Sequence, residues 1–271
     1  MPMTGGNTMV TIDEVKCIGC GKCAKDCIAQ IIEINNKKAH VTGECIQCGH
    51  CVAVCPCDAV SIPEYDMDEV ELYNRKTFSL EPYRVLHTIK FRRSIRDYRQ
   101  TPVEQEKLEL ILQAGRYTAT SKNNQDCHFV FVQNGLDQLK TMVWGHIDQI
   151  TPAKSSDISR DLLPYTVFNR RRKADPADDY LFRNAPVVIF ITSDWKLDAG
   201  LAAQNMELMA VSLGLGMLYN GYLARIADDN KELKTWLGIG GKKIEACMLL
   251  GYPNVTYART APRKPANVIW R

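Results

Sequence analysis

The chain has 271 residues, of which 45% are apolar and 24% are charged, as in an ordinary globular protein. Its formal net charge of +3 is too small to predict binding to nucleic acid. Residues 1–9 contain neither a charged start nor an apolar run, so we expect no secretion signal. The clearest apolar run, residues 187–191, has strand length and is far too short to span a membrane. We therefore expect a cytoplasmic protein that binds neither membranes nor nucleic acid.

The cysteines are concentrated near the N-terminus, where nine of the 11 lie between Cys17 and Cys57. Dense cysteines without a secretion signal predict metal binding rather than a disulfide framework. Eight of the nine form two runs with the spacing C-x2-C-x2-C-x3-C. The runs consist of Cys17, Cys20, Cys23 and Cys27, and of Cys45, Cys48, Cys51 and Cys55.

This spacing predicts two [4Fe–4S] clusters, because three thiolates of one tight loop hold three irons and the fourth cysteine ligates the other cluster. Cluster one is therefore assigned to Cys17, Cys20, Cys23 and Cys55, and cluster two to Cys27, Cys45, Cys48 and Cys51. Gly19, Gly21 and Gly49 suit the close backbone approach that lets N–H groups point at the sulfurs. A pair of zinc sites is the alternative, but zinc has no use for the repeated run of four cysteines.

Residues 1–65 resemble a bacterial 2[4Fe–4S] ferredoxin, with a hairpin predicted at residues 31–41 and a short strand at 59–62. One departure is that Ile28 follows the first run, whereas Pro56 follows the second. Proline stiffens that turn and is not a ligand, so two clusters are still expected. The ninth thiol, Cys57, is interpreted as a small buried residue rather than a ligand.

Residues 66–84 are predicted to connect this domain to a second one over residues 85–271. A helix is expected at residues 82–91, with Pro82 in its first turn. Arg92, Arg93, Ser94 and Arg96 follow directly. Their guanidinium and hydroxyl donors suit a phosphate monoester, although a basic run on its own is more often a solvated face.

Further along the chain, residues 101–104 predict a capping box with Pro102 at the first helical position. Apolar residues at helical spacing then extend this helix until Gly115 ends it. The polar loop at residues 117–125 leads into a strand predicted at residues 129–132. Such a loop carries many donors for a flat heteroaromatic ring with carbonyl groups.

Taken together, residues 92–96, the following helix and the loop at 120–125 resemble the nitroreductase superfamily of FMN enzymes. The resemblance extends to the strand at 187–191, a long helix at 198–213, Asn220-Gly221, a last strand near 249–253 and a basic motif at 259–264. It implies an α+β fold, with a central mixed sheet flanked by helices, preceded here by the small two-cluster domain. It also implies bound FMN and a homodimer with FMN at the interface.

The resemblance assigns roles to individual residues. Arg92, Ser94 and Arg263 would hold the FMN phosphate, with Arg93 and Lys264 nearby. Arg96 would lie against the flavin N1/O2 edge and stabilise reduced flavin. The remaining contacts would come from Thr120, Asn123 and Gln125 to the ribityl chain and pyrimidine ring, and from the backbone of Asn220 and Gly221 near N5. No residue is assigned as a catalytic acid, because solvent can supply the protons.

At two places the sequence does not assign the residues that would face the substrate. Asp126 and Cys127 stand where many members of the superfamily have Pro-Trp, and we interpret Cys127 as a small buried residue rather than a redox group. The basic run at residues 170–173 is either part of a solvated loop or part of a lid over the flavin that attracts an anionic substrate.

These features predict a ferredoxin-linked flavin reductase of anaerobic metabolism. Electrons would enter singly at the clusters, accumulate on FMN and pass to an electron-poor small molecule such as a nitroaromatic, quinone, activated alkene or halide. Reduced ferredoxin, or a similar low-potential carrier, is a more natural donor than NAD(P)H. The alternative is an electron-transfer protein that relays electrons to a protein partner. A flavin-fragmenting or flavin-storing protein would leave the clusters idle.

Overall fold

The computed structural model describes residues 10–151 and 159–271, and contacts divide the chain into two units. The first unit contains the described residues up to Ser79 together with Lys122–Asn124. The second contains Leu80–Ser121 and the described residues from Gln125 to the end. In the described ranges, none of the helices is long and apolar enough to cross a membrane.

The first unit consists of short strands and helices. They are β1 (Thr11–Ile12), α1 (Lys22–Asp26), β2 (Ile32–Asn35), β3 (Lys38–Val41), α2 (His50–Ala53), β4 (Val60–Ser61) and α3 (Arg75–Phe78). Strands β2 and β3 form the predicted hairpin, and Asn36 and Lys37 make its turn with positive φ angles of 49° and 60°. The predicted strand β4 pairs with β1, whose two residues are too few to show a periodic pattern.

The two cysteine runs fold in the same way. Each run passes through a glycine with a left-handed backbone, Gly21 (φ 72°) or Gly49 (φ 75°), and then enters α1 or α2. Helix α1 places Cys23 in the core of the unit, and α2 does the same for Cys51. The repeat seen in the sequence is therefore a repeat of structure, since both loops bend at the same position relative to their cysteines.

The second unit is built around a four-stranded sheet. Its elements are α4 (Pro82–Phe91), α5 (Gln105–Arg116), β5 (His128–Val132), α6 (Leu136–Ile150), α7 (Leu163–Ala174), β6 (Val187–Thr192), α8 (Lys196–Ser212), β7 (Gly216–Tyr219), α9 (Gly221–Asp229), α10 (Lys231–Trp236) and β8 (Ile244–Gly251). The strand order is β5-β6-β8-β7, with antiparallel neighbours. An isolated parallel bridge joins Ser94 to Met217 at the β7 edge.

Alternation along the two central strands separates two apolar cores. On β6, Val188 and Phe190 face a core that contains Leu139, Ile147 and other residues of α6, α7, α9 and α10. The neighbouring β6 side chains face the opposite core, which is formed largely by α5 and α8. All six residues of β6 are buried, as expected of a strand covered on both faces. The α+β architecture with flanking helices is therefore confirmed.

Helix α5 differs from its prediction at both ends. The expected capping box is wrong, because α5 begins at Gln105 and its N-cap Glu104 makes no side-chain capping bond. Val103 is instead held outside the helix by Gln133, whose side chain accepts from the Val103 N–H at 2.9 Å and donates to its carbonyl at 3.1 Å. Gly115 does not end the helix, which continues to Arg116.

Two other segments also differ from expectation. The basic run at residues 170–173, predicted to lie in a loop, is part of helix α7. Strand β8 begins at Ile244, earlier than the sequence suggests. By contrast, α4 has the predicted bounds, and its N-cap Glu81 accepts from the N–H groups of Tyr83 and Arg84 at 3.0 and 2.8 Å.

Candidate functional site

The first unit contains two cavities that are lined by thiols. The first has a volume of about 340 Å³, including open solvent at its mouth, and the second about 400 Å³. The first is lined by Cys17, Cys20, Cys23, Cys55 and Cys57. The second is lined by Cys27, Cys45, Cys48 and Cys51. In each cavity three thiols come from one run and a fourth from the end of the other run, which is the arrangement that the spacing predicts.

Backbone N–H groups are directed at the cysteine sulfurs. Gln47 N–H donates to the Cys45 Sγ at 3.2 Å, and Ala59 N–H donates to the Cys55 Sγ at 3.3 Å. Ala39 N–H approaches the Cys17 Sγ at 3.5 Å. Gly19 allows the first loop to close, because a Cβ at this position would lie 2.2 Å from the Lys37 carbonyl oxygen. Such donors stabilise the negative charge of a cluster.

The size and donor set of both cavities fit an iron–sulfur cluster. Across the described ranges, no three His, Cys, Asp or Glu side chains converge closely enough to hold a single metal ion. The thiols instead surround a space of several hundred cubic ångströms. Burial raises the pKa of the Cys51 thiol to about 11 and also raises that of Cys23. Metal binding would deprotonate these thiols, so assembly of each cluster would release protons.

In the second unit, Arg92 forms an ion pair with a carboxylate that no motif in the sequence indicates. Its Nη1 donates to Glu207 Oε1 at 2.9 Å, and the two side chains are 23% and 1% exposed, respectively. Burial raises the pKa of Glu207, whereas the Arg92 guanidinium opposes that shift. Glu207 occupies the apolar face of α8 among alanines and Met206. The one sequence signal for Glu207 is that a charged residue follows the apolar residues of α8 at helical spacing.

The neighbouring Arg93 has a polar atom with unmet hydrogen-bonding capacity. Its Nη1 donates to the carbonyls of Lys90 and Arg92 at 3.0 and 2.6 Å. Its Nη2 is buried and has no hydrogen-bond partner among the described residues. A buried guanidinium nitrogen without an acceptor is costly. The atom is therefore suited to an anionic oxygen, which fits the predicted phosphate site.

Ser94 is held at the edge of the sheet. It bridges to Met217 of β7, and the next residue, Ile95, donates its N–H to the Met217 carbonyl at 2.9 Å. This register places the arginine segment beside the strand that leads to Asn220 and Gly221. Arg96 is exposed, so its side chain remains available for a ligand.

Asn220 and Gly221 form the turn from β7 into α9. Asn220 is buried, and its Oδ1 accepts from the Leu223 N–H at 2.9 Å while its Nδ2 donates to the Leu181 carbonyl at 2.7 Å. Its own N–H donates to the Cys247 carbonyl. Gly221 is the first residue of α9, where a backbone N–H has no intrahelical partner. A Cβ on Gly221 would meet no atom within 4 Å. The Asn220 N–H is thus engaged within the fold, whereas the Gly221 N–H has no intrahelical acceptor.

The predicted flavin loop is strongly bent. Lys122, Asn123 and Gln125 have positive φ angles of 52°, 57° and 48°. Thr120 Oγ1 accepts from the Gln125 N–H at 2.9 Å, which closes the loop. Asn123 belongs to the first unit, where its Nδ2 donates to the carbonyls of Ile46 and Gln47 at 3.0 Å. Its amide donors are therefore already engaged.

Asp126, which stands where many members of the superfamily have proline, has a structural role. Its carboxylate accepts from Ser193 Oγ at 3.1 Å and from the Asp194 N–H at 2.6 Å, just before α8. Cys127 is half-buried against the apolar core of α5 and α8, and burial raises the pKa of its thiol. A raised pKa disfavours the reactive thiolate, which agrees with interpreting Cys127 as a packing residue.

The remaining predicted residues are exposed. Residues 254–271 form neither helix nor strand, and within them Arg263 and Lys264 are exposed. Arg263 Nη1 donates to the carbonyl of Pro262 at 3.1 Å. In the basic run on α7, Arg171 pairs with Asp178, and both Arg172 and Lys173 pair with Asp148. These pairs favour a solvated helix face over a site for an anionic substrate.

Comparisons with known proteins match the two units separately. The family model described as "Nitroreductase family" matches residues 89–252, which is more than half of the chain. A second family model, "4Fe-4S dicluster domain", matches residues 9–56. The ferredoxin of Methanothermococcus thermolithotrophicus is 42% identical over 59 residues, which cover 20% of this chain and 98% of that protein.

Other similarities concern the second unit. A putative NADH dehydrogenase/NAD(P)H nitroreductase of Methanothermobacter thermautotrophicus is 28% identical, and the matched region covers 51% of this chain and 60% of that protein. A nitroreductase structure with bound FMN from Bacteroides fragilis is 25% identical with a TM-score of 0.56, covering 69% of this chain and 98% of that one. An FMN-dependent nitroreductase from Clostridium difficile, 20% identical with a TM-score of 0.53, shares the fold over 70% of this chain and 100% of that one.

A further relative overlaps only the cysteine-rich region. This protein, a component of the ion-translocating oxidoreductase complex of Methanosarcina acetivorans, is 41% identical over 58 residues, which cover 21% of this chain. The chain spans 22% of that relative's length and 60% of the length of the Methanothermobacter relative.

Proposed function

Because this chain belongs to the nitroreductase family, we propose that it is an FMN-dependent oxidoreductase whose flavin receives electrons from its own two [4Fe–4S] clusters. The observation that carries the proposal is the joining of two modules in one chain: residues 9–56 match a dicluster domain and residues 89–252 match the nitroreductase family. Two thiol-lined cavities in the first unit support it. We assign cluster one to Cys17, Cys20, Cys23 and Cys55, and cluster two to Cys27, Cys45, Cys48 and Cys51.

The second unit offers donors that suit FMN. The buried Nη2 of Arg93 lacks an acceptor among the described residues, and Arg92 is held in place by Glu207. The residues that we propose to form the FMN site are Arg92, Arg93, Ser94, Arg96, Thr120, Asn123, Gln125, Asn220, Gly221, Arg263 and Lys264. Asn220 acts by holding the turn, and Gly221 supplies the N–H. We expect Asn123 to contribute least, since its amide already donates to two carbonyls.

We also propose a homodimer with FMN at the interface. Helix α4 buries none of its residues, and Tyr83, Leu86 and Ile89 on it are 79%, 48% and 49% exposed. Trp270, near the end of the chain, is 88% exposed. Large exposed apolar side chains grouped on one element favour a protein–protein contact.

Bound FMN would supply the redox chemistry that links one-electron delivery by the clusters to two-electron reduction of an acceptor. The protein's own part is to bind and orient the flavin. The positive charge of Arg96 would favour the reduced, anionic ring, and Gly221 would donate its N–H to the ring edge. The clusters favour a one-electron donor such as reduced ferredoxin, and we propose an electron-poor small molecule as the acceptor.

The test is an anaerobic acceptor screen. Purified protein should contain about eight iron and eight acid-labile sulfide per chain, together with FMN. After reduction with limiting dithionite, it is mixed with nitroaromatics, quinones, activated alkenes and organohalides while flavin absorbance is followed. We expect at least one class to reoxidise the flavin with stoichiometric product. Reoxidation by a redox protein alone would instead identify an electron carrier.

A further inference from the structure

The two thiol-lined cavities differ in one respect. The first is lined by five cysteine side chains, although a [4Fe–4S] cluster needs four thiolate ligands. The additional thiol is that of Cys57, which follows Cys55 by two positions. Ile18 and Gly19, in the first cysteine loop, line the same cavity as Cys57. Cys57 therefore lies at the wall of the cavity that the four assigned ligands line.

The second cavity shows that this placement belongs to the fold. The residue two positions after Cys27 is Ala29, and it lines the second cavity as Cys57 lines the first. The position therefore faces the cluster cavity in both halves of the repeat. Only the first cavity has a cysteine at this position, Cys57, where the second cavity has Ala29. The two cavities therefore differ in the number of sulfur donors.

We propose that Cys57 is a reserve ligand of cluster one, able to take over the iron held by Cys55. In the exchange, Cys57 gives its proton to solvent and its sulfur bonds to the iron. The bond from iron to the Cys55 sulfur breaks, and that sulfur takes up a proton. No oxidation state changes, so no oxidant or reductant is needed. The inference rests on the proposed cluster assignment and gives cluster one an exchange route that cluster two lacks.

The test compares ligand variants of the full chain, reconstituted anaerobically with iron and sulfide. We expect Cys55→Ala to hold about as much iron and sulfide as the unsubstituted protein, roughly eight of each. The double variant Cys55→Ala/Cys57→Ala should lose iron from cluster one, which would show either as the electron paramagnetic resonance signal of a three-iron cluster or as the loss of the cluster-one signal. Cys57→Ala alone should retain both clusters.

Cluster two supplies matched controls. Cys27→Ala has no reserve sulfur and should lose iron from site two, whereas Cys27→Ala/Ala29→Cys should regain it. The proposal is overturned if Cys55→Ala holds no more iron than the double variant, including the case in which neither folds. The iron content of the unsubstituted protein separates this failure from failure of the proposed function. If that protein saturates at about four irons, the two-cluster assignment itself is wrong.

Discussion

Arg92 has a proposed role in FMN binding, and the structure also places it in an ion pair with a buried carboxylate. Its partner Glu207 is 1% exposed, so the carboxylate depends on the guanidinium for charge compensation. Removing one partner of a buried ion pair costs about 3–5 kcal/mol, because the other charge is left unpaired. A loss of flavin in an Arg92 variant is therefore not by itself evidence for a phosphate contact.

A paired substitution separates the two roles. We predict that Arg92→Ala lowers the stability of the second unit by about 3–5 kcal/mol and weakens FMN binding at least about tenfold. Adding Glu207→Gln removes the unpaired charge, so thermal stability should largely recover while FMN affinity stays low. The measurements are thermal unfolding of the apoprotein and FMN titration by fluorescence. If the double variant regained both, Arg92 would act on stability alone.

A functional residue can be found from the sequence when its partners are close to it along the chain. It cannot be found in this way when they are far away in the sequence. The eight cysteines of the two runs are visible because each run is one short segment with a fixed spacing. Glu207 is not visible, because its partner Arg92 is 115 residues away. The role of Asp126 is hidden for the same reason, since Ser193 lies 67 residues further along.

Among the elements, α5 shows where local patterns fail. The pattern at residues 101–104 is a sound helix start on local grounds, but Gln133 bonds both backbone groups of Val103, and the helix begins only at Gln105. Gly115 is explained by packing between elements, which a local sequence pattern does not show. A Cβ there would lie 2.9 Å from both Met206 Sδ and Phe129 Cε1, so glycine allows α5 to approach α8 and β5 closely.

The packing role of Gly115 can be tested against another helical glycine. Gly115→Val should destabilise the second unit by about 1–3 kcal/mol, because the added methyl groups overpack the core. Gly145 on α6 is exposed and a Cβ there would meet no atom within 4 Å. Gly145→Val should therefore change stability by less than about 0.5 kcal/mol. Equal melting temperatures for the two variants would contradict the packing argument.

On the scale of the whole molecule, the sequence predicts two modules because each has its own motif set. The α+β fold follows from the order of those motifs, and the comparisons confirm it. Helix α7 could not be predicted in the same way, since its basic run resembles a loop in the sequence and its ion pairs with Asp148 and Asp178 form only in the fold. Whether such a basic run forms a helix depends on acidic partners from other segments of the chain.

The central claim is that electrons pass from the clusters to the flavin. Cys48 is suited to testing it, because it lines only the second cavity, where no fifth thiol is present among the lining residues. Cys48→Ser should disturb cluster two and leave FMN bound, since the proposed flavin contacts lie in the other unit except for Asn123. With dithionite as the reductant, the variant should still reduce a nitroaromatic at nearly the normal rate, which separates electron supply from chemistry.

The decisive measurement is anaerobic rapid mixing of FMN-loaded protein with reduced ferredoxin, followed by flavin absorbance. We predict fast flavin reduction in the unsubstituted protein and at least about tenfold slower reduction in Cys48→Ser, because the relay is broken at one cluster. The contradictory result would be equal rates in the two proteins, or flavin reduction by NAD(P)H that is rapid and identical in both. Either outcome would leave the flavoenzyme assignment in place and remove the clusters from the path of electrons to FMN.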